Sequence, residues 1–183
     1  MVLNCVTTQV CVADIWQWMD GDMNGSLWLT ESVAEPYTDL NDQVLWWADL
    51  PYANLHHASL VNTDLSFANL IGANFRVANL SYANLSYANL ENSVLAYANL
   101  FGANLNSADL GDANMFYADF SDANLSNIDN WESGFWLAAR YNANTIFPDG
   151  MDPDNFAMIE LEIPEPTTGL LFASFFMFSR RRR

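Results

Sequence analysis

Lysine is missing from all 183 residues, and four of the six arginines are Arg180, Arg181, Arg182 and Arg183. Residues 1–179 therefore set two basic groups, Arg76 and Arg140, against 22 carboxylates. Gripping a phosphate backbone needs clustered Lys and Arg, so this balance argues against direct nucleic-acid binding. It is compatible with cation binding or with a soluble, anionic surface. Cysteine is nearly absent: Cys5 and Cys11 can pair outside the cell, but they form neither a disulfide framework nor a zinc site. Residues 1–19 contain no Lys or Arg, and Asn4, Thr7, Thr8, Gln9 and Asp14 break their apolar run, so no signal peptide is read there. No nucleophile–base pair, phosphate loop or closed metal cluster is found, which argues against an enzyme. All seven tryptophans and five of the six prolines fall outside residues 48–127, which marks off that stretch.

A period of five fills it. Residues 48–127 run as sixteen units with no loss of frame, as in Ala53-Asn54-Leu55, Ala68-Asn69-Leu70 and Ala83-Asn84-Leu85. With the large apolar position called i, thirteen units carry Leu and the rest carry Phe75, Met115 and Phe120. Fourteen have Ala at i−2, with Thr63 and Ser93 in the other two, and fourteen have Asn or Asp at i−1. A repeat this regular takes precedence over any local assignment. On an α-helix, leucines five apart would be rotated by roughly 140° each time and would scatter around the cylinder. On a straight strand they would alternate faces. Both fail to gather a core. A chain that runs extended through i−2, i−1 and i and then turns a corner succeeds: i and i−2 point inward and i−1 outward. The small residue at i−2 is then a packing requirement, since a second large side chain would overfill a narrow interior.

Tandem A(D/N)LXX resembles the pentapeptide-repeat proteins over residues 48–127. The resemblance implies an all-β solenoid, a right-handed quadrilateral β-helix with four units per coil and about four coils. At the strand spacing of roughly 4.8 Å, the rod would be about 20 Å long. Members of the family include DNA mimics that inhibit a topoisomerase, so the fold leaves function open. The expected organisation is a helical, EF-hand-like segment and cap over residues 1–47, the β-helix over 48–127, a cap and linker over 128–162, and a sorting signal over 163–183.

Residues 20–31 match the EF-hand loop D-x-[DN]-x-[DN]-G-x5-E. Asp20, Asp22 and Asn24 would offer side-chain oxygens, Ser26 its carbonyl and Glu31 two closing oxygens, with Gly25 making the sharp turn; Ca2+ is the cation such a set suits. Trp28 departs from the polar residue usual at the ninth position. The other reading is an acidic turn between two helices, the first over residues 12–19. Between residues 37 and 50, Thr38-Asp39-Leu40 is in frame with the array, yet Leu40, Val44 and Trp47 also fall at helical spacing with Asp39 as N-cap. The favoured expectation there is a short helix covering the open end of the solenoid.

Taking every twentieth residue sorts the array by coil. One side stacks His57, Val77, Tyr97 and Tyr117 beside His56, Arg76, Ala96 and Phe116; another stacks Phe67, Tyr87, Ser107 and Asn127. Tyr97, Tyr117, Phe116 and Arg76 are the candidate contact surface for polysaccharide or a surface protein. The alternative is that stacked aromatics simply stabilise neighbouring rungs. The histidines are read as surface residues, and the Asn at i−1 as bonding the local turn. Residues 48–127 carry a net charge of −6, whereas about 20 Å of duplex DNA carries roughly twelve charges. Mimicry therefore ranks second.

Beyond Asn127 the frame degrades into Trp131, Phe135, Trp136 and Phe147, and residues 141–150 look like a segment that closes some pentapeptide arrays. The chain then runs Pro164-Glu165-Pro166, an apolar stretch over 167–179, and the four terminal arginines. This order resembles the PEP-CTERM sorting signal. The resemblance implies a C-terminal hydrophobic helix held in the membrane with arginines on the cytoplasmic side. It also implies recognition and cleavage by an exosortase-type peptidase, and release to the cell surface or exopolysaccharide matrix. Thirteen residues of helix span about 20 Å, short of the roughly 30 Å hydrocarbon core.

Overall fold

The computed structural model describes residues 37–162. Their backbone pairs with itself at intervals of one coil: Asp39 bridges Ser59, Ser59 bridges Asn79, Asn79 bridges Asn99, and the same step of twenty holds on each of four faces. All bridges are parallel. The bridging residue is the i−1 position, flanked by inward-pointing i−2 and i, as the alternation of an extended segment requires.

The hydrogen bonds of one unit explain the consensus. Ala83 N–H closes the turn on the Leu80 carbonyl (3.0 Å), Asn84 N–H reaches back a coil to Thr63 (2.9 Å), and Leu85 N–H reaches forward to Asn104 (2.7 Å). Tyr87 N–H also reaches forward, to Asn106 (3.0 Å). That leaves the N–H of Ser86, the first corner residue, with no backbone acceptor. The Asn84 side chain supplies one through Oδ1 (3.3 Å). A buried or half-buried N–H left without a partner is costly, so Asn or Asp at i−1 is a structural demand. The Asn Nδ2 then donates to the same position one coil earlier, as Asn84 does to Asp64 (3.0 Å) and Asn104 to Asn84 (3.1 Å). The exception supports the rule: where Ser59 replaces Asn, Val61 N–H turns to Asn41 Oδ1 at 2.7 Å.

The interior is a thin column of Leu and Ala. Leu60 through Leu125, at every i position, are buried, and Phe75, Met115 and Phe120 sit in the same column with no exposure. One unit breaks both rules. Ser93 stands where Ala belongs, and its buried Oγ has no partner, whereas buried Thr63 donates to the Leu40 carbonyl at 2.7 Å. Val94 stands where Asn belongs, and the Ala96 N–H beside it finds no acceptor among the described residues. Ser93→Ala and Val94→Asn are each expected to stabilise the fold by about 1 kcal/mol, the value of removing or satisfying one such group. Urea titration of both variants measures this, and a fall in midpoint for either would contradict it.

At each corner the second residue is left-handed, with φ of 62° at Trp47, 60° at Tyr87, 61° at Tyr97 and 60° at the β-branched Val77. An L side chain there costs about 1–2 kcal/mol, offset here by the forward hydrogen bond of that same residue and by stacking between coils. Glycine appears where stacking demands it. The Tyr52 ring lies on Gly72 (φ 65°), where an added Cβ would come within 2.6 Å of Cδ1; Tyr82 covers Gly102 in the same way, at 2.7 Å. Gly72→Ala is expected to cost about 1–2 kcal/mol, and less in a Tyr52→Ala background. A double-mutant cycle reads the coupling; additivity within about 0.3 kcal/mol would mean the ring does not rest on the glycine.

Two expectations change. The short helix over residues 37–50 does not form: Leu40 and Leu45 are buried in the column, and Leu40 N–H donates to Ser59 (2.8 Å). Pairing with the next rung outweighs the helical spacing because it satisfies those same groups while burying the leucines. Residues 128–162 are also more than a cap and linker. A 3₁₀ turn at Trp131–Ser133 lengthens the coil step to 21 residues, so Asn114 bridges Phe135 and Asp119 bridges Arg140; Asn124 then bridges Ile146. Strand β1, Arg140–Tyr141, pairs in parallel with β2, Ile159–Glu160, after a second 3₁₀ turn at Pro153–Phe156 capped by the Asp152 side chain. Trp136, 1 % exposed, closes the column against the Phe120 ring at 5.4 Å. No helix among the described residues is long and apolar enough to cross a membrane. The expected helix at residues 12–19, the calcium loop at 20–31 and the hydrophobic helix and sorting motif at 163–183 lie outside the described residues.

Candidate functional site

Because the step is twenty residues, side chains far apart in the chain form continuous rows. Tyr97 and Tyr117 occupy one such row, with ring centroids 5.4 Å apart and planes within 2°. The Arg76 guanidinium carbon stands 5.7 Å over the Tyr97 ring, and Phe116 meets both tyrosines edge-on, at 5.6 and 4.5 Å. The four candidate surface residues named from sequence are therefore one cluster. A second row, Trp47, Phe67 and Tyr87, stacks at 4.9 Å per step.

This geometry limits what the rings can do. Each tyrosine lies face to face with its neighbour along the rod, and Arg76 covers the free face of Tyr97. A sugar ring cannot lie flat on Tyr97, which presents its edge and hydroxyl. Stacking of these rings contributes to holding successive rungs, about 0.5–1.5 kcal/mol per pair beyond the area they bury.

Beside the Tyr97 corner runs an open groove of about 580 Å³, lined by Tyr97 and Tyr117 on one side and Phe101 on the other. Its floor is Ala98, Asn99 and Asp119, and Arg140 closes one end. The polar floor has unused capacity. Asn99 donates back to Asn79 (3.1 Å), but Asp119 has no amide and cannot continue the ladder. Its Oδ1 accepts from Ser121 N–H (3.0 Å) and Ser121 Oγ (2.7 Å), which leaves Oδ2 to the groove. Arg140, on the rung below, is exposed, and its side chain makes neither hydrogen bond nor ion pair among the described residues. An unpaired carboxylate oxygen, an unpaired guanidinium and two tyrosine hydroxyls thus share one groove.

The histidines serve the same corner. His56 Nδ1 donates to the Arg76 carbonyl at 2.7 Å, and the His57 ring stacks on Tyr37 at 4.9 Å. No group of three or more His, Cys, Asp or Glu among the described residues is placed to hold a metal ion. Tyr141, at the C-terminal end, has its phenol pKa pushed up by burial, then by the Glu160, Asp154 and Asp152 carboxylates. Asn99, Phe101, Asp119 and Arg140 were not singled out from sequence. Counting by twenty through 79, 99 and 119 leads to the row, but the extra residue at the 3₁₀ turn hides Arg140 from the count.

The sequence model of the family "Pentapeptide repeats" matches residues 37–66, 58–96 and 93–129, eight copies in all. No curated protein matches the chain. Among solved structures, the pentapeptide repeat protein Rfr23 from the cyanobacterium Cyanothece 51142 is 35% identical, with a TM-score of 0.51. The alignment covers 52% of this chain and 64% of Rfr23, so the chain spans less than two thirds of that relative's length. The pentapeptide repeat protein alr5209 from Nostoc Pcc 7120 is 31% identical over 54% of this chain and 84% of its own, with a TM-score of 0.31. QnrB1, a plasmid-mediated fluoroquinolone resistance protein, is 21% identical over 83% of this chain and 74% of its own, with a TM-score of 0.41.

Proposed function

Because the chain belongs to the pentapeptide-repeat family, whose solved members imply a right-handed quadrilateral β-helix, we propose that it is a non-enzymatic binding module of the bacterial cell surface or exopolysaccharide matrix. Its ligand in this reading is polysaccharide, held in the groove between Tyr97, Tyr117 and Phe101. The observation that carries the proposal is the gathering, in one groove, of hydrogen-bonding groups without partners among the described residues: Asp119 Oδ2, the Arg140 guanidinium and the tyrosine hydroxyls. Carbohydrate hydroxyls need donors and acceptors placed together beside an apolar wall, and this groove offers both. Sorting to the surface rests on the order of Pro164, Glu165 and Pro166, the apolar stretch and Arg180, Arg181, Arg182 and Arg183, with an exosortase-type membrane peptidase as partner. Calcium at Asp20, Asp22, Asn24, Ser26 and Glu31 belongs to the same proposal; a calorimetric titration of the full chain with no calcium heat at millimolar concentration removes it.

Calorimetry of the full chain against a panel of soluble bacterial exopolysaccharides tests the central claim. Binding weakened by Tyr117→Ala and Asp119→Asn together supports it; no heat with any glycan ends it. One observation favours a second reading, mimicry of DNA by an acidic interaction protein. Residues 37–162 hold sixteen carboxylates and two arginines, a net charge of −14. Six rung-to-rung steps from Asp39 to Ile159 extend roughly 29 Å at the strand spacing, a length of duplex that carries about 17 charges. The rod is closer to DNA in charge density than residues 48–127 alone suggest. Inhibition of a topoisomerase by the purified chain, with no glycan binding, would decide for this reading.

A further inference from the structure

Resting on the glycan reading above, we infer that the ligand is an acidic polysaccharide, a chain of uronate residues lying along the Tyr97 corner parallel to the rod axis. Every side chain among the described residues that can carry positive charge, namely His56, His57, Arg76 and Arg140, sits on this corner or on the face that follows it. Of the sixteen carboxylates, Asp39 and Asp119 share the bridging row of that following face with Arg140. None lies on the corner, and none occupies the bridging row of the face that precedes it: Asn54, Asn74, Val94, Asn114 and Phe135. A rod of net charge −14 thus has one corner that is free of carboxylates and carries three of its four cationic side chains, with Arg140 next to Asp119 on the adjoining face.

Arg76, on the corner, and Arg140, on the face that follows it, lie three rungs apart along the axis, roughly 14 Å at the strand spacing. Both are exposed, and neither is in an ion pair among the described residues. A guanidinium recognises a planar carboxylate through two parallel hydrogen bonds, which suits a uronate better than a neutral sugar. Arg76 is held over Tyr97 at 5.7 Å, so little of its freedom remains to be lost on binding. Between the two arginines, the tyrosine hydroxyls and Asp119 Oδ2 face the hydroxyl groups of the intervening sugars. Salt attenuates the carboxylates of the other corners over a Debye length of about 8 Å, and Asp119 is the carboxylate that faces the ligand directly. Two arginines neutralise too few phosphates to favour nucleic acid.

The test compares polygalacturonate with neutral dextran on the full chain by affinity electrophoresis, at low and high salt. Polygalacturonate is expected to bind and dextran to bind much more weakly. Arg76→Gln and Arg140→Gln should each weaken the polygalacturonate complex roughly tenfold, with circular dichroism unchanged because both side chains are exposed. High salt should weaken it as well. Equal retention of both glycans, unaffected by either substitution, overturns the charge inference and leaves the glycan reading standing. Failure of the chain to bind any glycan overturns both. A single-stranded DNA oligomer that binds as tightly as polygalacturonate overturns the choice of a glycan.

Discussion

Leu90→Asp is expected to abolish the cooperative fold of the rod, a loss above about 4–5 kcal/mol. Leu90 has no exposed surface and lies mid-column, with Leu70 and Leu110 on the neighbouring coils equally buried. A carboxylate there has no partner and no route to water, because the walls on all sides are hydrogen-bonded backbone. The column cannot close over a smaller side chain either, since rung spacing is fixed by those bonds; Leu90→Ala should fall in the upper part of the 2–5 kcal/mol range. The control is one residue earlier. Asn89 accepts from Glu91 N–H at 3.0 Å, which a carboxylate does equally well, and Asp already stands at Asp49 and Asp109 in that row. Asn89→Asp should therefore stay within about 0.5 kcal/mol of the parent. Thermal denaturation followed by circular dichroism compares the three; a folded Leu90→Asp protein with the parent midpoint would mean position 90 does not face the core.

Trp136→Ala is the second large effect, and it should be confined to one end. The indole closes the column over Phe120, and its N–H donates to the Trp131 carbonyl at 2.9 Å. Gly134 is shaped to admit it: a Cβ there would lie 3.0 Å from the indole nitrogen and 2.6 Å from Met115 Cε. Truncating a buried aromatic of this size costs about 3–5 kcal/mol. In an array where each coil touches only its neighbours, that loss opens the last coils before it melts the rest. Trypsin supplies a local readout, because the described residues contain only two cleavage sites, Arg76 and Arg140. Cleavage after Arg140 should accelerate strongly in the variant while cleavage after Arg76 changes little. Equal acceleration at both would mean that the whole rod unfolds as one unit.

Residues 48–127 were legible because one side-chain rule repeats without a break, and the rule follows from counting N–H groups as much as from burial. Legibility ended where two patterns competed or the count slipped. Gln43 stands at an i−2 position where Ala would have kept the frame visible, and the structure accommodates it by a bond from Nε2 to the Asn41 carbonyl (3.1 Å). Helical spacing of Leu40, Val44 and Trp47 filled the gap. After Asp129, the 3₁₀ turn adds a residue and Phe135 takes the place held one coil earlier by Asn114, so the further coil resembled a cap of bulky aromatics. The Tyr97, Tyr117, Phe116 and Arg76 cluster was predictable by the step of twenty. Its partner groups were not, because Asp119 and Arg140 matter through what they fail to bond, and an unmet hydrogen bond leaves no trace in a sequence.

The four-sided cross-section has a consequence for how such a protein can change length. Deleting twenty residues from the array removes one storey and leaves everything below it facing the same compass point. Deleting five keeps every leucine inside and every asparagine outside, yet swings the lower part by a quarter turn. Arg140 would then lie beneath a different edge from Arg76, though the leucine column still runs unbroken. Insertions and deletions in multiples of five therefore keep the inside–outside pattern, but only multiples of twenty preserve the alignment of side chains along an edge.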